Sequence, residues 1–201
     1  MKGVVPVTDR REDIIQAAIE LAQKEGPKAA TVRAVAQHVG IGASTLRYYF
    51  PTQSDLGRAV AERLISSVTP DLNIRDSSQP PHERLAECII QFLPPTDESA
   101  EAMVSAWVAQ MARLFDPQSG DGPAQMVSRL YEVGLGRITG WLQVLAQEGH
   151  IDEADIPRTA SLLSATCDGL MFQLGAKTLT LDDAKDHVAW LCATVLQRAT
   201  N

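Results

Sequence analysis

The sequence predicts an all-α fold, with a small three-helix N-terminal part followed by a larger helical C-terminal part. Apolar residues recur at steps of three and four along most of the 201-residue chain, which is the spacing of one helix face. No segment shows the strict alternation of apolar and polar residues that indicates a half-buried strand. Prolines cluster at a few points, as expected between helices. Together these observations predict about nine helices.

The first predicted helix covers residues 9–25. Ile14, Ala18 and Leu21 fall on one face at helical spacing. Acidic residues fill its first turn, where the helix dipole favours negative charge. Gly26-Pro27 is expected to end it. This helix would brace the following two helices from behind.

Two short helices joined by a tight turn are predicted between residues 31 and 50. Thr31 is placed to cap the first helix, whose apolar positions fall at helical spacing. Gly40 supplies the backbone freedom needed to end it. On the second helix, Leu46 and Phe50 lie one turn apart and are expected to face inward.

The opposite face of this second helix carries Ser44, Arg47 and Tyr48, again at steps of three and four. A hydroxyl, a guanidinium and a phenol suit contacts with base edges and phosphates. We therefore interpret residues 31–50 as a helix-turn-helix whose second helix enters the DNA major groove. For Tyr48 the alternative is a packing role within its own domain.

The same stretch resembles the tetracycline-repressor (TetR) family of bacterial transcription regulators. The resemblance rests on VGI at 39–41, TLRYYF at 45–50 and PTQSDL at 51–56, and it extends back to about Arg10. It implies double-stranded operator DNA as a partner. The residues expected to contact DNA are Thr31, Arg33, Ala43, Ser44, Thr45, Arg47, Tyr48, Tyr49 and Gln53.

Three of these positions depart from that family's pattern. Ser44 stands where a glycine is common, Arg47 where a tyrosine is common, and Gln53 where a phosphate-binding lysine is common. The departures concern the phosphate contacts and the operator sequence, and they leave the fold prediction unchanged.

The distribution of charge is compatible with DNA binding although the whole chain carries −7. Residues 1–56 hold seven cationic and six acidic side chains, a balance of +1, so the remainder carries −8. A nearly neutral domain can still bind DNA when its few cations share one face. We expect a modest salt dependence, from about a handful of phosphate contacts per protomer.

The chain divides into an expected DNA-binding domain at residues 1–56 and an effector-binding and dimerisation domain at residues 57–201. Ser54 is expected to cap a fourth helix that runs to about residue 68. A polar, proline-bounded connector follows, and Thr180 with Asp183 approximates a capping box near the C-terminus. The remaining helices are predicted at about 81–93, 98–115, 123–149, 157–177 and 181–198.

The last two predicted helices each carry an apolar stripe at steps of four, three and four. Two such helices form a hairpin, and two hairpins can pair as a four-helix bundle across a two-fold axis. We therefore expect a homodimer; the alternative is that both stripes complete the core of one chain. The residues of the two stripes are Leu163, Cys167, Leu170, Leu174, Ala184, Val188, Leu191 and Val195.

The TetR resemblance also implies a pocket for a small effector among the C-terminal helices. Aromatic and methionine side chains are suited to line it, although such residues more often belong to a core. Three glycines at 134, 136 and 140 would mark a kink or close packing beside it. The candidate lining residues are Phe92, Met103, Trp107, Met111, Phe115, Tyr131, Trp141, Met171 and Phe172. Polar candidates are Arg113, Arg137, Asp168 and Gln173.

An enzyme is not expected, because the four histidines lie far apart and no GxSxG or P-loop pattern occurs. We expect no metal and no cofactor. The three cysteines lack CxxC spacing and are expected to be buried apolar residues in a reducing cytoplasm. No signal peptide and no membrane-length apolar run is visible, which predicts a soluble intracellular protein. The TetR resemblance implies a bacterial cytoplasmic protein that is nucleoid-associated when bound to DNA.

The predicted function is a homodimeric repressor that a small apolar or aromatic effector releases from a palindromic operator. The alternative is a helical protein-binding adaptor without a small-molecule effector.

Overall fold

A computed structural model describes residues 7–25, 29–116, 120 and 122–197. These residues contain nine α-helices and no strand, which confirms the all-α prediction. None of the described helices is long and apolar enough to cross a membrane. The predicted helix stop at Gly26-Pro27 lies outside the described residues. The helices are α1 Val7–Glu25, α2 Val32–Val39, α3 Ala43–Tyr49, α4 Gln53–Val68, α5 Pro81–Ile90, α6 Asp97–Ala112, α7 Gly122–Gln147, α8 Ile156–Gly175 and α9 Leu181–Gln197.

The chain forms two compact units, Met1–Ile65 and Ser66–Asn201, which we call the head and the body. The head extends past residue 56 because α4 contributes Leu56, Ala59 and Val60 to the head's apolar core. The assignment of functions to the two units remains a proposal, developed below.

The head is held together by apolar side chains from its four helices. Ile14 and Ala18 of α1, Val35 of α2 and Leu46 of α3 are completely buried. Between α2 and α3, Gly40 adopts a left-handed conformation with φ 73°. A residue with a Cβ would be strained there, so glycine suits the turn.

A threonine–aspartate pair begins α4, two residues earlier than predicted. The Thr52 hydroxyl accepts a hydrogen bond from the Asp55 N–H at 3.1 Å, and the Asp55 carboxylate accepts from the Thr52 N–H at 3.0 Å. This reciprocal arrangement is a capping box. The expectation that Ser54 caps α4 was wrong, because Ser54 already lies within the helix. The analogous pair at Thr180 and Asp183 was predicted correctly.

The polar, proline-bounded connector between α4 and α5 is fixed to the body by buried contacts. Ile74 is completely buried in the body's core. Arg84 of α5 donates a hydrogen bond of 2.6 Å to the Ile74 carbonyl and forms a salt bridge of 2.5 Å with Glu148. Arg137 of α7 donates to the Thr69 carbonyl and to the Asp71 carboxylate. The two arginines therefore tie the connector to both α5 and α7.

The body packs α5 against α9 and α7 against α8, while α8 also contacts α6 and α9. At the crossing of α6 and α8, a Cβ on Gly175 would lie only 2.8 Å from Cγ1 of Val104. The three cysteines are free thiols buried in the body, and burial raises the pKa of each to about 12. The prediction that they behave as buried apolar residues is confirmed.

The packing of α8 and α9 corrects the predicted dimer interface. Leu163, Cys167, Leu170, Ala184 and Val188 are at most 5% exposed within a single chain. Leu174, Leu191 and Val195 are partly buried against the same core. The two stripes therefore complete the core of one chain, which was the alternative considered above, because the neighbouring helices of the body cover the faces that carry them.

Candidate DNA-binding surface

A concave surface on the head brings together residues from three successive elements. The start of α2, the outer side of α3 and the turn before α4 all contribute to it. Five of the nine predicted DNA contacts line this surface, accompanied by Val32 and Pro51, which sequence reasoning missed. The five are Thr31, Arg33, Ala43, Arg47 and Gln53.

Helix α3 separates its side chains into a buried face and an exposed face, as predicted. Leu46 and Phe50 are 0% and 2% exposed in the head's core. Arg47 is exposed, and so are Ser44 and Thr45. Because the core holds α3 along its apolar face, the polar face is presented to solvent in a fixed orientation.

The two tyrosines of α3 have different environments. Tyr48 is 78% exposed, which excludes the alternative in which it packs in the core of its domain. Tyr49 is half-buried against the head's core. The two rings meet edge to face with centroids 5.3 Å apart. Tyr49 therefore supports the exposed ring, and Tyr48 carries the accessible phenol.

Thr31 caps α2, as the sequence predicts. Thr31 adopts an extended conformation, and its hydroxyl accepts a hydrogen bond of 3.2 Å from the Ala34 N–H. It is the N-cap of α2 and remains exposed beside Arg33. The concave surface therefore includes the beginning of a helix, where backbone amides and the helix dipole favour negatively charged groups.

Three cations of the head, Arg10, Arg11 and Arg63, lie close to carboxylates, but the two on the concave surface do not. Arg10 lies 3.7 Å from Asp13, and Arg11 lies 3.8 Å from Glu12. Among the described residues, no carboxylate lies within 4 Å of Arg33 or Arg47. The concave surface thus presents two guanidinium groups that are available to phosphates or guanines.

Gln53 is already engaged with the protein backbone. Its Nε2 donates a hydrogen bond of 2.8 Å to the Ala30 carbonyl, and its Oε1 accepts one of 2.8 Å from the Val32 N–H. The side chain is therefore held against the start of α2. Gln53 lines the concave surface, but its bonding differs from that of a lysine extended toward a phosphate.

The nine candidate effector residues do not share one environment. Trp141 and Met171 are 2% and 3% exposed and belong to the body's core. The Trp141 indole N–H donates a hydrogen bond of 2.9 Å to Asp71. Phe115 and Phe172 are 83% and 66% exposed and lie on the surface. The half-buried remainder is Phe92, Met103, Trp107, Met111 and Tyr131.

Among these half-buried residues, Phe92 packs edge to face on Trp141 with centroids 6.1 Å apart. A Cβ on Gly134 would lie 3.6 Å from its ring, so α7 passes close to Phe92 at this point. Tyr131 of α7 hydrogen-bonds with Asp168 of α8, and burial raises the pKa of both groups. Phe92 and Trp141 thus form an aromatic pair beside α7, and Tyr131 and Asp168 form a partly buried polar pair between α7 and α8.

The other polar candidates are placed differently. Arg137 is occupied by the connector and lies over the Trp141 ring at 5.2 Å. Arg113 and Gln173 are exposed. A separate concave surface of the body contains none of the nine predicted effector residues; it is lined by Asp97, Glu101, Val104, Leu174, Lys177 and Asp183, among others.

Sequence reasoning also missed Arg84 and the exposed apolar residues of the last two helices. Arg84 is 1% exposed and lies four residues before the buried Cys88, so its place on an apolar stripe was a usable signal. Leu162, Phe172 and Trp190 are 53%, 66% and 70% exposed. Two deviations from the apolar pattern were therefore usable signals. One is the charged Arg84 within an apolar stripe, and the other is the set of large apolar residues that lie outside the stripes of α8 and α9.

The comparisons with known proteins agree with the motif. The sequence profile of the family described as bacterial regulatory proteins, tetR family, matches residues 14–60. The HTH-type transcriptional regulator BetI of Brucella abortus (strain 2308) is 29% identical over 177 residues, which cover 87% of this chain and 84% of BetI. The match to BetI therefore continues well beyond the helix-turn-helix.

Solved structures share the fold over nearly the whole chain. A TetR-family transcriptional regulator from Rhodococcus sp. superposes with a TM-score of 0.58 at 19% identity, covering 94% of this chain and 100% of its own. The flavonoid-responsive regulator FrrA gives a TM-score of 0.57 at 20% identity, covering 96% and 97%. Residues 14–60 therefore carry the motif of the tetR family of bacterial regulatory proteins, and the chain as a whole is similar to regulators of that kind in sequence and in its all-α fold.

Proposed function

We propose that this protein is a homodimeric repressor that binds a palindromic operator and leaves it when a small apolar or aromatic molecule binds the body. The observation that carries the proposal is the concave surface of the head. There, Arg33 and Arg47 lie without acidic partners beside the exposed face of α3. In this proposal the head reads DNA, and the body binds the effector and the second chain.

The proposed contacts divide between the backbone and the bases. Thr31 and Arg33, at the start of α2, are placed for phosphates, because a helix N-terminus and a guanidinium both favour them. Ser44, Arg47 and Tyr48 lie on the exposed face of α3, the helix proposed to enter the major groove. Arginine can bind guanine O6 and N7 with two hydrogen bonds. Arg47 is therefore the proposed base-reading residue.

The proposed dimer interface lies on the exposed sides of α8 and α9 rather than on their buried stripes. Leu162, Gly169 and Phe172 of α8 are exposed at helical spacing, and Trp190 of α9 is exposed as well. Large apolar side chains at such exposure are typical of an interaction site. The proposed occupant is a second copy of the chain, because one head reads too few base pairs. A two-fold pair would read half-sites about one helical turn apart.

The proposed effector region is the half-buried group near α7. It combines Phe92, Trp107 and Tyr131 with the Tyr131–Asp168 pair. Sites for small molecules are mostly apolar and contain a few polar groups that fix orientation. FrrA, which shares the fold, is by its name responsive to a flavonoid. An aromatic ligand of comparable character is the proposed class for this chain.

The decisive experiment is selection of bound duplexes from a randomised DNA library, followed by binding measurements on the selected duplex. A repressor of the proposed kind enriches one palindromic sequence and loses it when an aromatic effector is added. An adaptor would enrich no sequence. Enrichment of a single half-site, without a palindrome, would contradict the homodimer while keeping the DNA-binding function.

A further inference from the structure

The side-chain amide of Gln53 bridges two backbone groups that lie more than twenty residues earlier in the chain. Its Nε2 donates to the Ala30 carbonyl and its Oε1 accepts from the Val32 N–H, both at 2.8 Å. The intervening Thr31 is extended, with φ −80° and ψ 153°. In an extended segment these two groups point to the same side, so one amide satisfies both, as a neighbouring strand would. We call this pair of bonds the Gln53 clip.

We infer that Gln53 is a positioning residue for DNA binding, which acts by fixing the start of α2 and thereby the placement of Arg33. The inference rests on the proposed DNA-binding function. It differs from the expectation of a direct phosphate contact, because the acceptor and one donor of the amide are already used within the protein. A neutral amide would also displace no counterion from DNA.

The clip stabilises the part of α2 that most needs it. The first amides of a helix have no partner within the helix. In α2, the Ala34 N–H is satisfied by the Thr31 hydroxyl and the Val32 N–H by Gln53. Helices as short as the eight residues of α2 are marginal without such contacts.

The clip also joins two borders of the concave surface. Gln53 begins α4, directly after the turn that follows α3, while Val32 begins α2. Arg33 and Arg47, the two cations of this surface, lie on α2 and α3. Without the clip each arginine remains intact, but the start of α2 is free to move relative to α3. A loss of DNA affinity would then come from geometry rather than from a lost contact.

The first test uses the free protein. Amide hydrogen exchange of Val32 is compared between the wild type and Gln53→Met, which keeps the length of the side chain and removes both hydrogen bonds. The clip predicts that the Val32 amide exchanges about tenfold faster in the variant. Gln37→Met, at an exposed glutamine of the same helix, is the control and should leave the Val32 rate unchanged. An unchanged Val32 rate in Gln53→Met would overturn the clip.

A second variant covers the case in which Gln53→Met does not fold. Gln53→Glu keeps an acceptor for the Val32 N–H and removes the donor to Ala30. In Gln53→Glu the Val32 amide should stay protected from exchange, while the hydrogen bond to the Ala30 carbonyl is lost. Exchange as fast as in an unfolded chain, with the rest of the head protected, would contradict the assigned acceptor.

The second test separates positioning from contact. Affinity for the selected duplex is measured for Gln53→Met, Arg33→Ala and the double variant. We expect each single change to weaken binding about tenfold, and the double change to weaken it little more than either alone. If Gln53 touched DNA independently, the two losses would multiply to about a hundredfold. That product would refute the positioning role.

The two tests distinguish a failure of the proposed function from a failure of the positioning role. If no duplex is selected from the library, the proposed function fails, and Val32 exchange still decides whether the clip exists. If a duplex is selected and Gln53→Met binds it as the wild type does, DNA binding stands and the positioning role is refuted.

Discussion

The head and the body use their apolar periodicity differently. In the head, α3 has one apolar face, which is buried, and one polar face, which is exposed and carries Arg47 and Tyr48. In the body, α8 has two apolar faces. One holds Leu163 in the core, and the other exposes Leu162 and Phe172.

This difference decides whether the spacing of apolar residues along a helix can identify its functional face. When a helix has a single apolar face, the residues outside it are candidates for function. When it has two, the spacing cannot tell which face meets its own chain and which meets another molecule. Polar groups show the same contrast, since the head keeps its arginines at the surface whereas the body encloses Arg84.

The largest effect is expected from breaking the enclosed ion pair of the body. Arg84→Met leaves the Ile74 carbonyl without its donor and removes the nearer cation from the Glu148 carboxylate, beside which the His150 ring remains at 3.5 Å. Removing one member of a buried pair costs about 3–5 kcal/mol. The free energy of unfolding from urea titration should fall by that amount.

The matched control is Arg158→Met, which breaks an exposed pair with Asp155. Exposed pairs contribute about 0–1 kcal/mol, so this variant should unfold nearly as the wild type does. Equal losses in the two variants would show that Arg84 does not anchor the connector.

The second prediction separates the two apolar faces at the end of the chain. Leu163→Ala creates a cavity in the core and should lower the free energy of unfolding by about 2–5 kcal/mol. Trp190→Ser removes an exposed side chain and should instead weaken self-association by about 2 kcal/mol, the scale of an interface hot spot. Sedimentation across a concentration series measures the second effect.

The opposite outcome would indicate that the dimer forms through the apolar stripes of α8 and α9 that include Leu163. That would require Trp190→Ser to sediment as the wild type does, while Leu163→Ala dissociates without losing stability. A wild-type protein that is monomeric at about micromolar concentration would remove the dimer altogether.

The sequence allowed most of the head to be predicted, because its determinants are local. Thr31 as a cap, Gly40 as a turn and Leu46 as a core residue each follow from a few neighbouring positions. The Gln53 clip could not be predicted, since Gln53 and Val32 are far apart in the chain and an amide has no preferred partner. The motif identified the position but not its bonding.

The body was predictable as a set of helices but not as a set of sites. Trp141 and Phe172 are both large aromatic residues on helices, yet one is in the core and the other on the surface. Which outcome applies depends on how α5, α7, α8 and α9 pack, and packing is a non-local property. For the same reason the polar composition of the connector does not reveal that Ile74 is a core residue.

The third prediction concerns the polar face of α3. Arg47→Ala should weaken binding to the selected duplex by about 1–3 kcal/mol if the guanidinium reads a base, with a larger loss on the specific sequence than on others. If it contacts a phosphate, the loss should be uniform across sequences and the salt dependence should become shallower by about one unit per head. Fluorescence anisotropy at several salt concentrations distinguishes the two roles.

Arg10→Ala is the control for the head, since Arg10 pairs with Asp13 on α1 and does not line the concave surface. It should alter binding little. Comparable losses from Arg10→Ala and Arg47→Ala would indicate a general electrostatic effect rather than a contact by α3.

The smallest effect is the pH dependence of the body, in which two carboxylates act in opposite directions. Hydrogen bonds from Arg84 lower the pKa of Glu148, so its stabilisation is complete above the ordinary glutamate pKa of about 4.3 and is lost as pH falls through the folded value. Burial raises the pKa of Asp168, so its ionised form costs stability near neutral pH. That cost is relieved as pH falls through the raised pKa toward the ordinary aspartate value of about 3.9.

Urea titrations from about pH 7 to about pH 3.5 separate these contributions when the wild type is compared with two variants. Glu148→Gln should lack part of the acid-side loss, since no proton is then taken up at that position. Asp168→Asn should lack the compensating gain and therefore lose stability more steeply than the wild type as pH falls. The two variants change the slope in opposite directions because Arg84 favours one charge while the half-buried site beside Tyr131 disfavours the other. Parallel curves for all three proteins would mean that neither carboxylate has a shifted pKa in the folded body.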